Sequence, residues 1–137
     1  MYDKNKLLDM ALVARANAYA PYSKFKVGAA ILLENGKYIT GCNIENSSYG
    51  LTNCAERTAL FKMISDGYAK ADVVAMCIVA DTDMPVTPCG ACRQVMNELL
   101  KSDTPILLAN IKRDMKEVLV EDLLPLAFTE KDMNICK

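Results

Sequence analysis

Apolar positions recur at three- and four-residue spacing from Asp3 to about Ala18, where Leu7, Leu8, Ala11, Leu12 and Ala14 would share a face. That period predicts an amphipathic helix, with Asp3 placed to cap it. Pro21 keeps the helix from running through Tyr22-Ser23. Phe25 to Leu33 then predicts a strand, Asn35-Gly36 a tight turn, and Lys37 to Asn43 the antiparallel partner. Asn46 to Asn53, with Ser47, Ser48 and Gly50, predicts a loop. A helix follows from Ala55 to about Ser65, starting directly after Cys54 and ended by Asp66-Gly67.

The second half alternates in the same way. Val73 to Ala80 is nearly continuous and apolar, as expected of a strand covered on both faces. A loop from Asp81 to Pro88 leads through Cys89 into a helix from about Gly90 to Leu100. Pro105 to Ile111 predicts the next strand and Glu117 to Val120 a short last one. Too few residues separate these two for a helical crossover, so they should be antiparallel. The expectation is α/β: a three-layer α/β/α arrangement around a five-stranded mixed sheet, with residues 1–137 forming one domain.

Composition narrows the function classes. The formal net charge is -1, from 16 Lys and Arg against 17 Asp and Glu. Binding a polyanion needs clustered positive charge, so nucleic acid is not an expected partner. No apolar run reaches the length of a membrane span, and the first residues lack a secretory h-region, so the cytoplasm is the expected location. Six cysteines could signal disulfides, but a reducing compartment keeps thiols free. Cys42 and Cys77 fall in apolar, strand-like runs and read as buried small hydrophobes, and Cys136 as a free thiol in the tail. The hydrophobic content of 52% suits either a subunit with an apolar interface or a well-filled monomer.

The remaining three cysteines carry the chemistry. Cys54, in Asn53-Cys54-Ala55-Glu56-Arg57, joins Cys89 and Cys92, in Pro88-Cys89-Gly90-Ala91-Cys92, as three soft thiolates of the kind zinc binds tightly. The chain has no histidine to supply a fourth ligand. Three protein ligands with one open position is the arrangement of a catalytic zinc, whereas structural sites close with four. Cys54 and Cys89 both precede predicted helices, whose positive N-termini favour thiolate over thiol. An isolated Glu56 would be a helix-start carboxylate favouring the dipole. Beside Cys54, and with P-C-x-x-C downstream, it reads as the group that moves protons to and from a zinc-activated water. Arg57 is either a surface arginine or a donor to thiolate sulfur that offsets the negative charge of a three-thiolate centre.

These stretches also carry a resemblance, since Cys-x-Glu followed by P-C-x-x-C is a known signature of zinc deaminases. Phe25-Lys26-Val27-Gly28-Ala29-Ala30, Asn43-Ile44-Glu45-Asn46-Ser47-Ser48-Tyr49-Gly50, Cys54-Ala55-Glu56-Arg57 and Thr87-Pro88-Cys89-Gly90-Ala91-Cys92-Arg93-Gln94-Val95 closely resemble cytidine deaminase, in its short-chain, homotetrameric, three-cysteine form. The likeness ends with Leu123-Leu124-Pro125 and Ala127-Phe128; Leu126 interrupts the tail motif, and Ile135-Cys136-Lys137 has no counterpart. The resemblance implies one Zn2+ per chain on Cys54, Cys89 and Cys92, with Glu56 as proton shuttle. It implies that Asn43 and Glu45 hold the ribose hydroxyls, that Phe25 packs on the pyrimidine, and that the Ala55 amide meets the base carbonyl. Phe128 would reach a neighbouring subunit's site. The implied reaction is hydrolytic deamination of cytidine and deoxycytidine, in pyrimidine salvage. Read from the residues alone, Phe25 could be core, Asn43 and Glu45 strand-end polars, and Phe128 an anchor on its own subunit. Two other functions compete: deamination of a different aminopyrimidine, and a zinc scaffold in which Glu56 is idle.

Overall fold

The structure is a computed structural model that describes residues 1–133; Cys136 and the rest of the Ile135–Lys137 tail lie outside the described residues. Helix α1 spans Lys4–Ala16, and the Asp3 carboxylate caps it by accepting the Lys6 amide at 3.0 Å. Strands β1 (Val27–Leu33) and β2 (Tyr38–Cys42) form a hairpin whose turn places Gly36 at φ 88, a backbone region open to glycine. Next come α2 (Ala55–Ser65), β3 (Val73–Ala80), α3 (Gly90–Leu99), β4 (Pro105–Asn110), β5 (Met115–Leu119) and a short α4 (Val120–Leu123).

The strands form one mixed sheet in the order β2-β1-β3-β4-β5. Only β3 and β4 run parallel, joined through α3; the other neighbours, including β4 and β5, are antiparallel. Helix α1 buries Leu7, Leu8 and Ala11 against Ala30, Cys77, Val79 and Leu107 on one face. On the other face Leu60 and Met63 of α2 and Met96 of α3 meet Ile31, Met76, Ile78 and Ile106. The three-layer α/β/α expectation therefore holds.

Two glycines set how closely the helices lie. A Cβ at Gly28 would fall 2.1 Å from the Ala11 carbonyl oxygen of α1. A Cβ at Gly41 would fall 2.5 Å from the Ala59 nitrogen and 2.8 Å from the Ala55 oxygen of α2. Side chains at either position would hold the helix off the sheet. Because Ala55 opens α2, Gly41 also fixes where Cys54 lies.

Three expectations need correction. The last strand begins earlier, at Met115, and Val120 opens α4 instead of ending the strand, because Asp122 accepts the Leu119 amide at 2.9 Å and caps a helical turn. Strand β1 begins at Val27 and not at Phe25, since the Asn43 side chain takes the Phe25 carbonyl and the Val27 amide. Cys77 is fully buried as expected, but Cys42, on an edge strand, is only half-buried. Among the described residues, no helix is long and apolar enough to cross a membrane.

Candidate active site

Cys54 is the N-cap of α2 and Cys89 the N-cap of α3, both in extended backbone conformation. Cys92 is the third residue of α3, so the x-x spacing puts both α3 sulfurs on one face of the first turn. The three Sγ atoms lie within 4.8 Å of one another, and those of Cys54 and Cys89 are 4.0 Å apart. Tetrahedral zinc with Zn–S bonds of about 2.3 Å sets sulfurs roughly 3.8 Å apart, so the cluster fits zinc with little adjustment. Burial is graded, from Cys92, which is fully covered, through Cys54 to the exposed Cys89. One side of the cluster is thus sealed by protein and the other faces the cavity.

The surroundings favour the metal-binding form of Cys54. A hydrogen bond from Cys92, and then the Arg57 guanidinium, hold the Cys54 thiol down at about 5, so that it is a thiolate at neutral pH. Cys92, the donor to Cys54 and itself buried, is pushed well above its ordinary value. Arg57 is the third residue of α2, one turn above Cys54, and its Nη2 donates to Cys54 Sγ at 3.3 Å. The relation between Arg57 and Cys54 repeats that between Cys92 and Cys89: in each helix the third residue reaches back to the cap.

Beside the thiols opens a cavity of about 260 Å³, whose lining brings Cys54, Ala55, Glu56 and Cys89 together with Phe25, Asn43 and Glu45. Glu56 is 5% exposed. Burial, and then the Cys54 thiolate, push its carboxyl up to about 7, where it both accepts and releases protons. Ala55 is fully buried, and its amide belongs to the first turn of α2, where no intrahelical acceptor is available.

The polar part of the lining is held by hydrogen bonds. Asn43 and Glu45 are 7% and 4% exposed. Glu45 accepts the Tyr22 and Ser23 amides at 2.9 and 3.1 Å, and the Ser23 hydroxyl as well. These hydrogen bonds, the Ser23 hydroxyl foremost, hold its carboxyl below the ordinary carboxylate range. Phe25 is not core: it is 43% exposed and forms part of the cavity wall.

Eight of the ten residues singled out in the sequence meet around this cavity or in the thiol cluster behind it. Arg57 stands behind Cys54 and off the cavity wall. Phe128 is not among the residues that line this cavity: it is 58% exposed, and its carbonyl accepts Gln94 Nε2 at 2.9 Å. Sequence reasoning missed Ser23, Thr52, Val86 and Thr87, which also line the cavity. Loop residues carry no periodicity; the available signal was Ser23 two positions before Phe25, a spacing at which a hydroxyl often takes a backbone amide.

Comparison with known proteins settles the family. Residues 1–107 match the family described as "Cytidine and deoxycytidylate deaminase zinc-binding region". The chain belongs to this deaminase family. It is 58% identical to a cytidine deaminase of Halalkalibacterium halodurans, over 96% of this chain and 98% of that one. It is 52% identical to that of Sporosarcina psychrophila, over 96% of each. Among solved structures, a Burkholderia pseudomallei cytidine deaminase superposes with a TM-score of 0.90 at 50% identity, covering 93% of this chain and all of that one. The zinc-binding character of the deaminase family and the geometry of the three cysteines agree on zinc as the cofactor.

Proposed function

We propose that this deaminase hydrolyses cytidine and deoxycytidine to uridine and deoxyuridine with release of ammonia, in pyrimidine salvage. The observation that carries the reading is one cavity whose lining combines thiols of the cysteine cluster and a proton-accepting Glu56 with an aromatic ring and two sugar-compatible polar groups.

Cys54, Cys89 and Cys92 hold the zinc. When bound, zinc lowers the pKa of water from 15.7 toward ~7 and so supplies a nucleophile for the ring carbon that bears the amine. Glu56 takes the proton given up by water and places it on the adjacent ring nitrogen. It then takes the second proton, from the oxygen newly bonded to the ring carbon, and passes it to the amine. The amine leaves as ammonia as the C–N bond breaks and the oxygen becomes the carbonyl of the product. A carboxyl poised near neutrality serves both steps. Phe25 packs against the pyrimidine, the Ala55 amide donates to the base carbonyl, and Asn43 and Glu45 receive the sugar hydroxyls. The low pKa of Glu45 keeps it anionic, and an anion there repels a 5′-phosphate, which favours free nucleosides. Arg57 donates to Cys54 and offsets the charge of the thiolates.

The enzyme works as a homotetramer in which Phe128 reaches into a neighbour's site. Supporting this, large apolar side chains stay exposed near the cavity rim, among them Tyr22, Ile44, Tyr49 and Leu51, while Gln94 holds the Phe128 backbone and leaves its ring uncovered. The described cysteines are free thiols, which suits a reducing, cytoplasmic setting. Incubation with cytidine, followed by loss of its ultraviolet band and release of ammonia, tests the reaction; no turnover by zinc-loaded protein refutes it. Sedimentation at assay concentration tests the assembly, and a fully active monomer refutes the role of Phe128.

A further inference from the structure

The part of the cavity lining formed by Ser23, Phe25, Asn43 and Glu45 is one hydrogen-bonded unit. Glu45 Oε1 accepts the amides of Tyr22 and Ser23, and Glu45 Oε2 accepts the Ser23 hydroxyl. The same Ser23 oxygen accepts the Phe25 amide at 3.0 Å. On its other side Phe25 gives its carbonyl to Asn43 Nδ2 at 2.7 Å, while Asn43 Oδ1 takes the Val27 amide at 2.8 Å. The backbone of Phe25 is therefore gripped at its N–H through Ser23 and at its C=O by Asn43. Lys24, between Ser23 and Phe25, sits at φ 61, in the left-handed region that a lysine rarely adopts. A turn of that kind persists only where its surroundings over-determine it.

We propose that Ser23 is a positioning residue that makes the pocket selective for a hydroxyl-bearing sugar. Its one hydroxyl locks the Glu45 carboxylate and the Phe25 backbone in a single geometry. The inference rests on the sugar and base roles proposed for Glu45 and Phe25. A carboxylate offers about four lone-pair sites. Three donors from Tyr22 and Ser23 occupy Glu45, which leaves about one site for a sugar hydroxyl. Without the Ser23 hydroxyl, Oε2 turns to water and the Phe25 amide loses its acceptor, so sugar and base are no longer read together.

The test compares steady-state kinetics on cytidine and on 2′,3′-dideoxycytidine, which lacks the hydroxyls Glu45 would accept. The zinc-loaded wild type, Ser23→Ala, Ser23→Thr and Glu45→Gln are measured side by side, each with its zinc content. Ser23→Ala should raise KM for cytidine about tenfold, with kcat changed by no more than roughly twofold. It should narrow the preference for cytidine over the dideoxy analogue by about the same factor, at unchanged zinc content. Ser23→Thr, which keeps the hydroxyl, should restore both. The proposal is overturned if Ser23→Ala keeps the wild-type preference while Glu45→Gln collapses it, or if kcat falls with KM unchanged. If Glu45→Gln itself leaves the preference intact, the sugar role of Glu45 fails and the proposal falls with it.

Discussion

Replacing Gly41 by alanine tests how the sheet places the metal ligands. The new Cβ would lie 2.5 Å from the Ala59 nitrogen, 2.8 Å from the Ala55 oxygen and 3.0 Å from the Ala59 Cα. All three are backbone atoms of α2, so no change of rotamer relieves the clash and the helix must recede. Ordinary contact begins near 3.5 Å, which sets the displacement at about 1 Å. Overpacking of this kind typically costs ~1–3 kcal/mol. Ala55 follows Cys54 directly, so the shift is carried to the sulfur that sits 4.0 Å from Cys89. A misplacement of about 1 Å at a reacting centre costs on the order of 10²-fold in rate.

Gly41→Ala should therefore lower Tm, speed zinc release to a chelator, and reduce kcat by about 10²-fold while the overall secondary structure stays. Gly28→Ala is the comparison, because its Cβ meets α1 on the opposite face of the sheet. It should lower Tm with the rate of zinc release unchanged. A Gly41→Ala protein that loses stability but keeps wild-type zinc release and kcat would refute the reasoning, since the seat of α2 on β2 would then not govern the thiolates.

Glu56→Gln should keep zinc and Tm but lose at least ~10²–10⁴ in kcat, as removal of a general acid–base does, and near-normal turnover would rule out the shuttle role. Arg57→Gln removes the donor to Cys54, so in zinc-free protein the Cys54 thiol should titrate at higher pH, read from thiolate absorbance near 240 nm, and turnover should fall. An unchanged titration would reduce Arg57 to packing. Cytidine should be used at least about tenfold more efficiently than its monophosphate, because a phosphate near Glu45 meets a like charge. Equal kcat/KM for the two would show that the pocket has been misread.

The elements were legible where local chemistry decides them. Leu7, Leu8, Ala11 and Ala14 gave α1 its buried face, and Asn35-Gly36 gave the hairpin. The short stretch after Asn110 made β4 and β5 antiparallel. Errors came where a distant side chain intervenes: Asn43 shortens β1 by taking bonds a neighbouring strand would have made. In the tail, α4 is held from outside, with Arg93 Nη1 on the Leu123 carbonyl at 2.9 Å and Arg93 Nε on the Pro88 carbonyl at 2.8 Å. The pairing of Cys89 with Cys92 was readable because Cys-x-x-Cys at a helix start is a local device, and the structure adds Cys54 to the same cluster. The roles read for Phe25, Asn43 and Glu45 came from resemblance, and the Ser23 bridge between them is visible only in three dimensions.

A site without histidine must manage its charge by other means. Three thiolates and one zinc leave a net negative centre, which weakens the metal's pull on water. The fold answers with two helix N-termini, each equivalent to roughly half a positive charge, and with Arg57 on Cys54. Among the described residues the Arg57 Nε is buried and makes no hydrogen bond. In the zinc-free site the Cys54 thiolate adds to burial in raising Glu56 toward neutrality. The Cys54 sulfur, placed to hold a metal with Cys89 and Cys92, thus also acts on the carboxyl two residues along the chain.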